Sequence, residues 1–141
     1  MTNEAFEEFL TNTFDLGRQF AQGGGAVPAA FILFPDSLEI YGFGRFDEPT
    51  KRQLNGLFST AVRRGAVAVA LLSEAWVSSD PHAVSWLKAG RSLASYADRT
   101  EALLVAGATP HGLFGYQAPM TRRGDRVEIG EPIPFFGALE S

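Results

Sequence analysis

The chain has no cysteine, only two histidines, and no apolar run long enough to cross a membrane. The missing cysteines exclude disulfides, thiolate nucleophiles and sulfur-ligated metals. His82 and His111 stand outside any HExxH-type spacing and have no third nitrogen or sulfur ligand to join. No metal site is expected. The longest apolar stretch, near residues 66–72, is strand-sized, against ~18 residues for a membrane helix. A net charge of -4 and a pI near 5.1 leave no basic excess for displacing counterions from a nucleic acid or adhering to an anionic lipid surface. Neither a nucleic acid nor a membrane is therefore expected as a partner.

Motifs for covalent or phosphate chemistry are lacking as well. No G-x-S-x-G elbow occurs. Gly23-Gly24-Gly25 follows a helix and precedes a strand, the reverse of a phosphate-loop order. Gly42-Phe43-Gly44 lacks the third glycine of a dinucleotide fingerprint and reads as a bulge. No cofactor is expected. Arg123-Gly124-Asp125 spells an adhesion tripeptide, but glycine at a hairpin tip accounts for it. The acidic start, Met1 to Glu8, is unlike a secretory leader, which points to the cytoplasm.

What is present builds one α+β domain over residues 1–141. At 141 residues, 45% of them hydrophobic and twelve of them Phe, the chain can bury an aromatic-rich core. Phe6, Phe9, Leu10, Phe14, Leu16 and Phe20 recur at helical spacing and predict an amphipathic helix over 3–21. Strands are expected near 27–34 and 38–46, joined by the turn residues Pro35-Asp36-Ser37. A second helix is expected over 48–64, its buried stripe formed by Leu54, Leu57, Phe58, Ala61 and Val62. Both faces of 66–76 are apolar, as in a strand covered on both sides or at the middle of a sheet. Residues 78–100 read as a short helix or a mobile lid, with Asp80-Pro81 at its start. A strand over 101–106 follows, then a hairpin of 113–120 with 126–129. Prolines bar the tail 132–136 from a central strand. The expected architecture is a two-layer sandwich, with a mainly antiparallel sheet of five to six strands against two to three helices.

The sharpest local feature is Ser73-Glu74-Ala75-Trp76, where an apolar strand ends in a carboxylate beside an indole. With Arg99 and Glu101 before the next strand, two readings stand. One is a structural ion pair of Glu74 with Arg99 beside the indole. The other is an acid–base pair, Glu74 and Glu101, whose environments split their pKa values, with Arg99 as a charged partner. Glu74, Arg99 and Glu101 are the candidate catalytic residues, and Trp76 and His82 the candidate ligand contacts. Ile133, Phe135 and Phe136 form a candidate interface, because aromatics left outside a core commonly mark one. Arg122, Arg123 and Arg126 make a small basic tip.

Ser73-Glu-Ala-Trp76 after one strand and Ala97-Asp-Arg-Thr-Glu101 before the next resemble small uncharacterised bacterial or phage-encoded α+β proteins. The resemblance spans the central third of the chain. It implies a prokaryotic, soluble, intracellular setting and no activity. The leading functional expectation is a non-enzymatic binding or assembly module, a homodimer or the partner of another protein. The alternative is a small hydrolase-like or ligand-binding enzyme built on Glu74, Arg99 and Glu101.

Overall fold

The computed structural model describes residues 2–23, 28–43, 48–78, 80–110 and 112–137, with side chains as far as Pro134. Gly24, Gly25, Gly44 and His111 lie outside the described residues, as do the side chains of Phe135 and Phe136. The element order is α1 (Asn3–Gln22), β1 (Ala29–Leu33), β2 (Leu38–Gly42), α2 (Glu48–Arg63), β3 (Ala68–Val77), α3 (Ala83–Lys88), a 3-10 turn at Leu93–Ser95, β4 (Thr100–Thr109), β5 (Gly112–Arg123), β6 (Arg126–Ile129) and β7 (Ile133–Gly137).

The seven strands among the described residues join one antiparallel sheet in the order β2-β1-β3-β4-β5-β6, and β7 pairs with β5 beside β6. With three helices packed on it, the fold is α+β. The pairs β1–β2, β3–β4, β4–β5 and β5–β6 join strands consecutive in sequence, and tight turns encode the first and last of these locally, whereas β1–β3 and β5–β7 join strands that are not consecutive. At Pro35-Asp36-Ser37 the Phe34 N–H closes onto the Ser37 carbonyl at 2.8 Å. At Gly124-Asp125 the glycine takes a φ of +61°, a left-handed conformation that a side chain disfavours. The last segment, with its prolines, joins as the edge strand β7. Pro119 is accommodated inside β5 because its nitrogen faces the gap between β6 and β7, where its carbonyl accepts the Gly130 N–H at 2.9 Å.

The helices take opposite faces of the β1 end of the sheet. On β1, Phe31 belongs to the cluster formed with Phe9, Leu10 and Phe14 of α1, while its neighbour Ile32 packs with Ala61, Leu57 and Phe58 of α2. Successive strand residues point to opposite faces, so the two helices sandwich β1 between them. β3 lies between β1 and β4, and its apolar character on both faces follows from that position. Leu10, Phe31, Leu72, Leu103 and Val105 are sealed from solvent. Full burial of each such side chain contributes about 1.5–3 kcal/mol.

α1 is capped by the Thr2 hydroxyl, which accepts the Ala5 N–H at 3.1 Å. One expectation on the helices needs correction. Val62, assigned to the buried stripe of α2, is 65% exposed, because the helix contacts the sheet along a narrower line through Leu54 and Ala61. The short helix expected after residue 78 is the six-residue α3, followed by the 3-10 turn. No helix among the described residues is long and apolar enough to cross a membrane.

Candidate functional site

Strand alternation and register bring the sequence candidates to one end of the sheet, on the face that carries α1. Along β3, Leu72, Glu74 and Trp76 share that face. The pairs Trp76↔Glu101 and Glu101↔Met120 put Glu101 and Met120 beside them, and two residues further along β5 comes Arg122. Glu74 and Glu101 are thus diagonal neighbours on adjacent strands, and the apolar face gives way to polar chemistry just beyond Leu72 and Leu103.

Arg122 organises this end. Its Nε donates to Oε2 of Glu101 at 2.8 Å, and its Nη2 donates to Oε2 of Glu74 at 3.3 Å. The side chains of Glu74 and Glu101 are 25% and 21% exposed, and that of Arg122 45%. The hydrogen bond to Glu101, the charge of that carboxylate and, last, the charge of Glu74 raise the Arg122 pKa further above its already high value. An arginine does not give up its proton in water, so it serves as a fixed positive charge and not as an acid.

This corrects the expected partner. The guanidinium that reaches Glu74 here comes from β5, two strands away from β3. Arg99 lies over the Trp76 ring, its guanidinium carbon 4.7 Å from the ring centroid, and donates to the Tyr96 carbonyl at 2.8 Å. Trp76 remains 40% exposed. The basic tip is partly neutralised, since Arg122 is engaged as described and Arg123 pairs with Glu128 at 3.6 Å.

His82 belongs to a different cluster. It precedes α3, exposed, and its backbone N–H donates to Oδ1 of Asp80 at 3.0 Å. The other oxygen of Asp80 accepts the Tyr96 hydroxyl at 2.6 Å. Tyr96 meets the Trp86 ring edge-on, with centroids 5.3 Å apart. The Trp86 indole N–H donates to the Ser92 carbonyl at 2.8 Å, and Arg91 covers the ring. The hydrogen bond from Tyr96 lowers the Asp80 pKa, and the same bond pushes the Tyr96 pKa up to about 12. The segment 78–99 thus carries its own small aromatic cluster. Of the expected interface, Ile133 is 56% exposed, and Phe135 and Phe136 pair through their backbones with Gly115 and Phe114.

Several grooves of the described surface lie elsewhere. One of about 350 Å³ runs between α1 and the β1–β2 hairpin, and another of about 280 Å³ lies between Val62 and the Val69–Ala108 end of the sheet. Neither these nor the smaller ones are lined by Glu74, Glu101 or Arg122. Among the described residues no three His, Asp or Glu side chains converge as a metal site would require.

Two clusters escaped sequence reasoning. Arg122 was grouped with the hairpin tip, although counting in twos from Met120 sets it on the face of Glu101. The second is Glu39, which receives both Nη1 and Nη2 of Arg64 at 3.0 Å and the Tyr41 hydroxyl at 2.8 Å. The position of Glu39 inside an alternating strand was its only signal. No family model matches the chain, and no curated protein or solved structure matches it either.

Proposed function

We propose that the chain is a non-enzymatic binding or assembly module of the cytoplasm, working through association with itself or with another protein. The observation that carries this reading is the engagement of both candidate acid–base groups by one guanidinium, at 2.8 and 3.3 Å, while the grooves described above are lined by other residues. A general acid or base must present its proton-transfer atom to a substrate in a pocket. Glu74 and Glu101 spend their charge on Arg122 instead. Exposed aliphatic side chains that association could cover include Leu38 and Ile40, which flank the groove of about 350 Å³, Val84 and Leu87 of α3, and Ile133.

The test compares the protein with Glu101→Gln on a panel of ester, amide and phosphoester reporters. No turnover is expected from either. Turnover that disappears in Glu101→Gln, with an unchanged thermal melt, would overturn the module reading in favour of an enzyme at this end of the sheet.

A further inference from the structure

β2 forms one margin of the sheet, and among the described residues no strand pairs with its outer side. Its backbone polarity can be read from the hairpin. The Phe34 N–H donates to the Ser37 carbonyl, and the Phe43 N–H to the Pro28 carbonyl, both at 2.8 Å. Hydrogen-bonded and non-bonded pairs alternate between these two closures. Glu39 and Tyr41 therefore spend their N–H and C=O groups on Ile32 and Ala30, their partners in β1. Leu38, Ile40 and Gly42 turn theirs outward.

This margin carries none of the usual protection. Leu38-Glu39-Ile40-Tyr41-Gly42 has no proline and no lysine. Its single charge, Glu39, is on the α2 face and is held by Arg64. The opposite margin has such devices: β6 contributes Arg126 and Glu128, and β7 contains Pro134. On the α1 face, Leu38 and Ile40 are 47% and 55% exposed. They border the groove of about 350 Å³, whose floor includes Phe31 and Leu33 and whose wall is formed by Phe9 and Leu16. The groove exists because α1 packs chiefly across β3 to β6, covers Phe31 at its edge and does not extend over Leu38 and Ile40 of β2.

We infer that a second copy of this chain docks here, β2 against β2 about a two-fold axis at Ile40, so that two sheets become one. This rests on the module reading and names its partner. The strand is complementary to itself in both chemistry and charge. With the axis at Ile40, the outward groups of Ile40 meet those of Ile40 in the second copy, and Leu38 meets Gly42 of the second copy, so each outward donor finds an acceptor. Leu38 and Ile40 of both copies come together on the α1 face. On the other face Glu39 comes opposite Tyr41 of the second copy. A competing symmetric register, with its axis at Glu39, would set the two Glu39 carboxylates directly opposite each other in the closer kind of antiparallel pair, which is destabilising. Charge therefore favours the axis at Ile40 over one at Glu39.

Sedimentation velocity of the full chain over a dilution series, with Ile40→Pro beside it, tests the proposal. Proline at 40 removes an outward N–H and spares every bond to β1. A concentration-dependent dimer is expected for the protein, and a monomer with unchanged circular dichroism for Ile40→Pro. If Ile40→Pro does not fold, Ile40→Lys replaces it, since an edge lysine blocks pairing without touching the ladder. The absence of cysteine allows a third readout. Ile40→Cys should be joined into a covalent dimer by a short bifunctional maleimide, and Val62→Cys should not. A protein monomeric at every concentration overturns the edge pairing. So does a dimer that persists in Ile40→Pro or Ile40→Lys, which would place the interface elsewhere. Neither result touches the module reading, which falls only to turnover dependent on Glu101.

Discussion

Arg122 on β5 donates at once to Glu101 on β4 and to Glu74 on β3, spanning three strands with one side chain. The two carboxylates lie diagonally on neighbouring strands and meet at one cation. Removing it takes a hydrogen-bond donor from both like charges at once.

Arg122→Ala is therefore expected to lower unfolding free energy by about 1 kcal/mol. Arg99→Ala, which removes a cation from the face of Trp76 at an exposed site, should cost about 0.5 kcal/mol. Urea denaturation of the two variants checks the order. Glu74→Gln should also cost less in the Arg122→Ala background than in the native one, because it then relieves repulsion. A native-background cost that is unchanged by Arg122→Ala would refute the clasp.

Close packing of α1 on the sheet gives a prediction that separates two glycines. A Cβ at Gly107 would collide with the Leu10 side chain and crowd the Phe6 ring at 3.1 Å. Leu10 is fully buried and cannot swing away. Gly107→Ala should destabilise by about 1–3 kcal/mol. At Gly56, inside α2, a Cβ meets nothing within 4 Å. Gly56→Ala should stabilise by about 0.5–1 kcal/mol through the lower entropy of the unfolded chain. Chemical denaturation of both reads the opposite signs directly.

The Asp80–Tyr96 bond predicts pH dependence at both ends of the scale. Asp80 has a lowered pKa in the fold, so its contribution is present above 3.8, its ordinary value, and is lost as pH falls through the lower folded value. Tyr96 is raised from 10.0 to about 12, so its contribution is present below 10 and is lost as pH rises through about 12. Thermal melts against pH should fall at both extremes, and Tyr96→Phe should reduce the loss at the alkaline one. Spectroscopic titration of the three tyrosines should lose its component near pH 12 in the same variant. A native Tyr96 titrating near 10 would refute the bond.

The segment 78–99 interrupts what register alone would make a tight hairpin, since Val77 and Thr100 are already paired. Its polar contacts, Asp80 with Tyr96 and Trp86 with Ser92, close within the segment. Replacing residues 78–99 by Asn-Gly, a two-residue hairpin turn, should leave the sheet folded and lower the melting temperature by only a few degrees. Loss of cooperative unfolding in the shortened protein would show that the segment is part of the main core.

Much of the fold was legible because its elements are encoded over short distances. The Phe-rich spacing of α1, the Pro35–Ser37 turn and the apolar alternation of 66–76 each sit inside one element or one hairpin. The segment 78–99 was harder, because Trp86 and Tyr96 keep a helical spacing while they meet across an irregular turn. That Glu74 and Glu101 are diagonal neighbours was not legible in the sequence, because it follows only from the β3–β4 register, which sets Trp76 opposite Glu101. The cation was misassigned for a physical reason. Arg99 is near Glu101 in sequence, whereas Arg122 becomes a neighbour of Glu74 only after two further registers are set, 48 residues away.

That long reach has a consequence for assembly of the chain. A slip of β5 by one residue against β4 turns Arg122 to the far side of the sheet, and Met120, Ala118 and Tyr116 leave the interior with it. Bridging of the two glutamates and filling of the interior thus demand the same alignment. A side chain at the sheet's polar end in this way proofreads how the last long strand is laid down.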